Sequence, residues 1–295
     1  MKKKKNKKAK ALIIIAAVLL SAAVAAYFVF DLKMFFADIP KQLTITVAWN
    51  PGSMADDITR VMAGNTDTQT AMQNIPGAHG ANGLNTVFNT GTNGANLLST
   101  SLSAFVTSEA MGFAESSPSD WTAWLVAFSP AVLVVAADSQ YNAVNELAGL
   151  TCANSGFGTV SFAAAELLSG EYGHISFSGV NAAVNALFDS EADFAVLLKT
   201  EVAGRLNSGE LRVLETMDFG EYYGLFAPAS VRKSRLNGLD LLIESAVTSD
   251  AFMTFINENG LSVADYSRKS GDKVISEYGS LLRGIFYEAG FLPAG

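Results

Sequence analysis

Along this chain the apolar positions change period at short intervals, and the changes outline alternating strands and helices. In "LTITVAWNPGSMADDITRVMAG" Ile45 and Val47 are one residue apart, the period of a strand, whereas Ile58, Val61 and Met62 recur at helical spacing. A strand over Leu43 to Val47 therefore leads into a helix running to about Met62, and Pro51 and Gly52 force the turn between them. "NIPGAHGANGLNTVFN" reads as a Gly-rich loop opening a second helix, and "ANLLSTS" as a strand. "WTAWLVAFSPAVLVVAADSQ" carries two apolar runs, Leu125 to Phe128 and Val132 to Ala137, divided by Ser129 and Pro130. Short continuous apolar runs suit strands buried on both faces of a parallel sheet.

The plan then repeats. "NAVNELAG" predicts a short helix ended by Gly149, after which a strand at Leu150 to Ala153, the loop "NSGFGT" and a helix from about Val160 to Leu168 follow. "HISFSGVNAAVNALFDSEADFAVLL" gives a strand at Ile175 and Phe177, a helix through Leu187 and a strand at Phe194 to Leu198. "LRVLETM" and "YYGLFAP" are further strands, and the tail from Leu236 to Phe291 is mainly helical by spacing. Strand alternating with helix is the pattern of an α/β fold with parallel sheets.

The first ten residues, "MKKKKNKKAK", hold seven lysines, and no charge follows until Asp31. A basic head before an apolar segment is the pattern of an export signal. The 11–30 stretch is long enough to span a bilayer as a helix, which makes a membrane anchor one outcome. Ala23, Val24 and Ala25 offer a cleavage site, which makes a removed signal the other. Either way the expected location is outside the cytoplasm, periplasmic or extracytoplasmic. Taking those seven lysines from the formal net charge of −8 leaves −15 for the rest, which excludes the basic footprint that nucleic-acid binding needs. With 295 residues and 49% hydrophobic side chains, two lobes are expected rather than one.

The residue inventory excludes several chemistries. His79 and His174 are the only histidines, and neither has a metal-ligand spacing to the other or to Cys152, the single cysteine. No G-x-S-x-G turn occurs, and glycines at 77, 80 and 83 match no phosphate-loop motif. Cys152, beside Leu150 and Ala153, reads as a buried small hydrophobe. Asp56 and Asp57 are adjacent, so on a helix they point apart, and in a first turn they favour the helix dipole. No catalytic residue, metal site or cofactor is expected. What remains is a pair of loop-to-helix junctions, "NPGSMAD" and "NSGFGT", in different halves of the chain. The first N–H groups of a helix have no internal partner and attract anions. In α/β sheets such loops gather outside the carboxyl ends of the strands, so two of them facing across a cleft would hold one anionic group.

Five ordered segments resemble the extracytoplasmic solute receptors of tripartite tricarboxylate transporters, a branch of the periplasmic binding proteins. They are "ITVAWNPGSMADDITR", "NIPGAHGANG", "SGFGT", "FSGVNAAVNALFDSEADFAVL" and "YYGLFAPAS". The resemblance implies an α/β, two-lobed periplasmic-binding-protein fold, each lobe a mainly parallel sheet flanked by helices, preceded by an N-terminal hydrophobic helix. It implies a signal or anchor segment with linker over 1–40, a discontinuous first lobe over 41–130 and 223–295, and a second lobe over 131–222. The crossings between lobes are expected near Ala131 to Ala136 and Tyr222 to Ala227. The implied function is capture of a small organic carboxylate between the lobes and its delivery to the permease subunits of a membrane transporter. A ligand-sensing receptor that signals through a membrane partner, or an enzyme on the same fold, are the alternatives.

By position in the resemblance, Pro51, Gly52, Ser53, Met54, Ala55 and Asp56 form the first ligand loop and Ser155, Gly156, Phe157, Gly158 and Thr159 the second. Trp49 is either a core aromatic or a lid over the ligand's carbon chain. The chain also departs from the family's pattern. Met54 and Ala55 replace a usual pair of hydroxyl residues, Phe157 replaces a common Asn and offers an apolar wall, and Ser178 stands where Lys is frequent. These changes point to a ligand less hydroxylated or smaller than citrate. His79 and Asn82 read as turn residues, and Lys199 as a solvated surface side chain.

Overall fold

The structure, a computed structural model, describes residues 37–168 and 170–292. The expected hydrophobic helix over 11–30 and its cleavage site lie outside the described residues. Among the described residues no helix is long and apolar enough to cross a membrane.

Strands and helices alternate as the pattern requires. Their order is β1 (Gln42–Val47), α1 (Met54–Ala63), β2 (Gln69–Asn74), α2 (Ala81–Thr90), β3 (Asn96–Ser101), α3 (Leu102–Ala110) and β4 (Trp121–Ala136). Then come β5 (Thr151–Asn154), α4 (Val160–Glu166), β6 (Gly173–Ser176), α5 (Val180–Phe188), β7 (Phe194–Leu198), α6 (Lys199–Asn207) and β8 (Leu211–Pro228). The chain ends in α7 (Lys233–Val247), α8 (Asp250–Glu258), β9 (Ser262–Val263) and α9 (Arg268–Glu288).

The sheet order is β2-β1-β3-β8-β4-β7-β5-β6, with β9 added to β4. β2, β1 and β3 form one parallel trio and β7, β5 and β6 another. Between them β4 and β8 run antiparallel to each other along most of their length. Each trio with its helices makes one lobe of a two-lobed α/β fold. One core gathers Val47, Ile58, Leu97 and Ile243 against one half of the sheet. Others gather Val160, Phe194 and Val196, or Val184, Ala195 and Leu197, against the other half. α9 touches both halves, since Gly279 meets Val106 while Leu282 and Phe286 are buried with Val160 and Phe194.

Several elements differ from the pattern-based expectation. The two apolar runs of 125–137 are a single strand, because Ser129 is buried with its hydroxyl 3.0 Å from that of Thr200, and Pro130 falls at a register shift that tolerates its missing N–H. "LRVLETM" and "YYGLFAP" likewise join into β8, so four expected strands become two long ones. β2 was not expected, since "QTAMQN" is an edge strand with no buried side chain and carries no apolar period. α3 was also missed, while "NAVNELAG" forms only a short turn of helix at Val144–Glu146. Cys152 is fully buried, and burial pushes its thiol up to about 12, so it is inert packing as expected.

Candidate functional site

Parallel strands in each trio deliver their carboxyl ends, and the helices that follow them, to a common cleft. A cavity of about 370 Å³ opens there. Four strand-to-helix junctions line it: Trp49, Ser53, Met54 and Ala55 after β1; Ser101, Ser103 and Thr107 around β3 and α3; Phe157 to Ser161 after β5; Leu198 and Glu201 after β7. Glu221 and Tyr223 of β8 form the wall between the lobes, and His79 and Phe291 close the sides. A roomier recess lies beside α9, but its arginine, Arg283, is already paired with Glu109 and no strand-to-helix junction converges on it.

In the first loop, Ser53 caps α1, its hydroxyl accepting from the Asp56 N–H at 3.3 Å and its carbonyl from the Asp57 N–H at 2.9 Å. The N–H groups of Met54 and Ala55 have no partner among the described residues. Asp56 is fully buried and turned away from the cavity. Its carboxylate accepts from Gly52 N–H (2.9 Å), Arg60 Nε (2.8 Å) and Asn74 Nδ2 (2.9 Å). Burial raises its pKa, but the bonds from Arg60, Gly52 and Asn74 outweigh that and leave it lowered. Asp56 thus clamps the loop from behind, and the Gly52 amide is already occupied by it. Pro51 and Gly52 are exposed and do not line the cavity.

Hydroxyls hold the second loop. Thr159 Oγ1 donates to Gly156 O at 2.7 Å and accepts from the Phe162 N–H at 3.1 Å, capping α4. Ser161 Oγ accepts from the Ser155 N–H at 3.0 Å and donates to Val196 O at 2.6 Å. The Gly156 N–H donates to Asn154 Oδ1 at 3.1 Å, so Ser155 and Gly156 brace the loop from behind the lining. Phe157 and Gly158 face the cavity, and their N–H groups have no partner among the described residues. Gly158 sits at φ +79°, and a Cβ there would lie 2.2 Å from the Phe291 ring. Phe157, 49% exposed, stacks edge-on against Phe162 and Phe291.

Of the twelve residues expected at the site, seven line the cavity: Trp49, Ser53, Met54, Ala55, Phe157, Gly158 and Thr159. Pro51, Gly52, Asp56, Ser155 and Gly156 lie outside the lining. His79 lines it as well, in a turn at φ +53° that Asn82 ties by donating to Pro76 O at 3.0 Å. Ser178 and Lys199 do not line it.

Sequence reasoning missed the acidic wall. Glu221 is 4% exposed and accepts from the Ser103 N–H at 3.1 Å and from the Ser103 hydroxyl. Burial pushes its carboxyl up to about 7, against the bonds from Ser103 and Tyr222. Glu201, one turn into α6, accepts from the Leu198 N–H at 3.0 Å. Crowding by protein raises its carboxyl too, yet Glu201 keeps solvent contact through the cavity, and that water tempers the push. The signal for Glu221 was a lone carboxylate in the otherwise apolar run "FGEYYGLFAP". Ser103 was hidden because α3 was not foreseen.

Neither a protein-family model nor a curated protein sequence matches the chain. Solved structures do. A TctC solute-binding protein from Polaromonas superimposes with a TM-score of 0.74 at 19% identity, covering 84% of this chain and 98% of that one. The chain has the fold of TctC-type solute-binding proteins. MatC from Rhodopseudomonas palustris, solved with bound malate, matches with a TM-score of 0.62 at 19% identity over 83% of this chain and 98% of its own. Rpa4515 of R. palustris, solved with adipate, matches at 0.65 and 15% identity over 86% and 98%. The family resemblance drawn from the five sequence segments therefore agrees with the fold.

Proposed function

We propose that this protein is an extracytoplasmic solute-binding receptor, not an enzyme, that captures a small organic carboxylate between two lobes and hands it to the permease of a tripartite tricarboxylate-type transporter. The lobes are 41–130 with 223–295, and 131–222. The observation that carries this reading is one cavity lined by loops of both parallel trios, each supplying main-chain N–H groups with no partner among the described residues: Met54 and Ala55 from one side, Phe157 and Gly158 from the other. Hydrogen bonds to an ionised acceptor are worth about 1.5–3 kcal/mol each, so four such donors suffice for micromolar affinity after the cost of association. No lysine or arginine is needed. The malate and adipate held by two proteins of the same fold support the same ligand class.

Closure of the lobes would bend the β4–β8 pair, whose register shifts between Leu125 and Ala127 and again between Pro130 and Val132. Such irregularities concentrate bending where the chain passes from one trio to the other. A thermal-shift screen of small monocarboxylates, dicarboxylates, tricarboxylates, aromatic acids and amino acids tests the reading. A ligand at a hundred times its dissociation constant adds about 2.7 kcal/mol to stability and raises the melting temperature accordingly. If no carboxylate in the screen shifts the transition, the receptor assignment falls.

A further inference from the structure

The cavity has a charge pattern that a simple dicarboxylate does not match. Its lining contains, among the described residues, two carboxyl groups, Glu201 and Glu221, and no lysine or arginine. Among the described residues neither glutamate makes an ion pair, although seven arginine or lysine pairs hold charged side chains elsewhere in the fold. A buried carboxylate normally has a cationic partner or sits at a metal. Glu221 has neither, only Ser103 and a strand amide, and a carboxylate offers about four acceptor positions. The free acceptor capacity of a wall residue is available to whatever fills the cavity.

Resting on the receptor reading above, we propose that the natural ligand is zwitterionic. Its carboxylate meets the unpaired amides of the two loops, and its positively charged amine meets Glu221 and Glu201. Two features fit that orientation. Trp49, Phe157 and Tyr223 line the same cavity, and aromatic faces attract an alkylammonium group. A second ligand carboxylate would instead sit beside two acidic side chains with no lysine or arginine in the described lining to offset them, and like charges at close range require a proton to be taken up.

The two ligand classes therefore move protons in opposite directions. An ammonium draws Glu221 into its ionised form and releases a proton near neutral pH, whereas a second carboxylate holds Glu221 protonated and takes one up. The titratable groups around Glu221 are Glu201 on α6, Tyr278 on α9, Tyr222 and Tyr223 on its own strand, and His79 across the cavity.

Titration calorimetry on the purified protein, in buffers of differing ionisation enthalpy, tests the proposal with matched sets. One set is butanoate, 4-aminobutanoate and succinate, and another is propanoate, alanine and malonate. The expected result is that the amine member of at least one set binds tenfold or more tightly than both its partners. Its affinity rises as pH increases through about 7, with net proton release. In Glu221→Gln that preference shrinks at least tenfold. Glu201→Gln, a change at a solvent-exposed position that leaves the fold intact, shrinks it severalfold. Carboxylates that bind with no preference for the amine, or dicarboxylates that bind best with proton uptake, overturn this inference and leave the receptor reading standing. Failure of every carboxylate to bind overturns both.

Discussion

The two loops that face each other across the cavity are built on different principles. The β1–α1 loop is fastened by charge: one buried carboxylate, Asp56, gathers Arg60, Asn74 and the Gly52 amide. The β5–α4 loop is fastened by neutral hydroxyls, with Thr159 and Ser161 bridging backbone groups, and is topped by aromatic rings. The first fastening lies behind the lining and the second reaches into it, yet both leave main-chain N–H groups with no partner among the described residues facing the cavity. The contrast teaches that a ligand site made of backbone donors needs its side chains for a different task, which is to hold the backbone still while using up none of the amides that face the cavity.

Removing the charged fastening has the largest expected effect. Asp56→Ala takes away the Gly52 N–H partner and one of the two acceptors of the Asn74 amide, which keeps its bond to Trp49 O at 3.0 Å, and frees Arg60, whose side chain is 54% exposed and can be rehydrated. A loss of about 3 kcal/mol is expected in urea denaturation, at the low end for breaking a buried pair because Arg60 reaches water. The pH dependence has a definite sign. The pKa of Asp56 is lowered on folding, so its contribution is present above the unfolded value of 3.8 and fades as pH falls below it. The gap between wild type and Asp56→Ala should therefore be full at pH 6 and narrow on acidification. A gap that stays constant down to pH 2 would show that Asp56 acts through packing and not through its charge.

The aromatic side of the second loop is probed by Gly158→Ala. At φ +79° an alanine costs about 1 kcal/mol from the left-handed backbone alone, and its Cβ also displaces the Phe291 ring. A total of roughly 1–3 kcal/mol is expected at equilibrium. Phe291→Ala in the same chain should recover the part due to the ring and not the part due to the backbone. Strict additivity of the two substitutions would mean that the ring does not pack on Gly158 in solution, since residues in contact couple.

The contrast between the loops also marks what the sequence could and could not disclose. Ser53 and Thr159 were placed by the family resemblance, whereas the two loop-to-helix junctions that hold them were legible because glycine turns act locally. The alternation of strand and helix was legible for the same reason. The role of Asp56 was not, because its partner Asn74 lies on β2, an edge strand with no apolar period to reveal it. Nor was the joining of the 125–137 runs into one strand, which depends on Thr200 of another element accepting Ser129 into the interior. The acidic wall followed the same rule. Glu221 lines the cavity from β8 and is held there by Ser103, more than a hundred positions earlier, on a helix whose weak amphipathic pattern hid it.

The smallest expected effect on stability falls on the residue that most distinguishes the second loop. Phe157 is half exposed and leans on Phe162 and Phe291 without filling the core. Phe157→Ala should change stability by about 0.5 kcal/mol or less, as exposed substitutions do. Its ring nevertheless forms one apolar wall of the cavity, and a ligand methylene packed against it is worth about 0.8 kcal/mol when fully buried. Affinity for short acids should then be nearly unchanged, while affinity for each longer homologue falls by a further factor of about three to four, the equivalent of one methylene. The measurement is a homologous series by calorimetry on both proteins. Parallel lines of binding free energy against chain length would place the ring outside the ligand's path. Diverging lines would assign chain-length selection to the hydroxyl-fastened loop and leave the charge-fastened loop as the fixed anchor of the carboxylate.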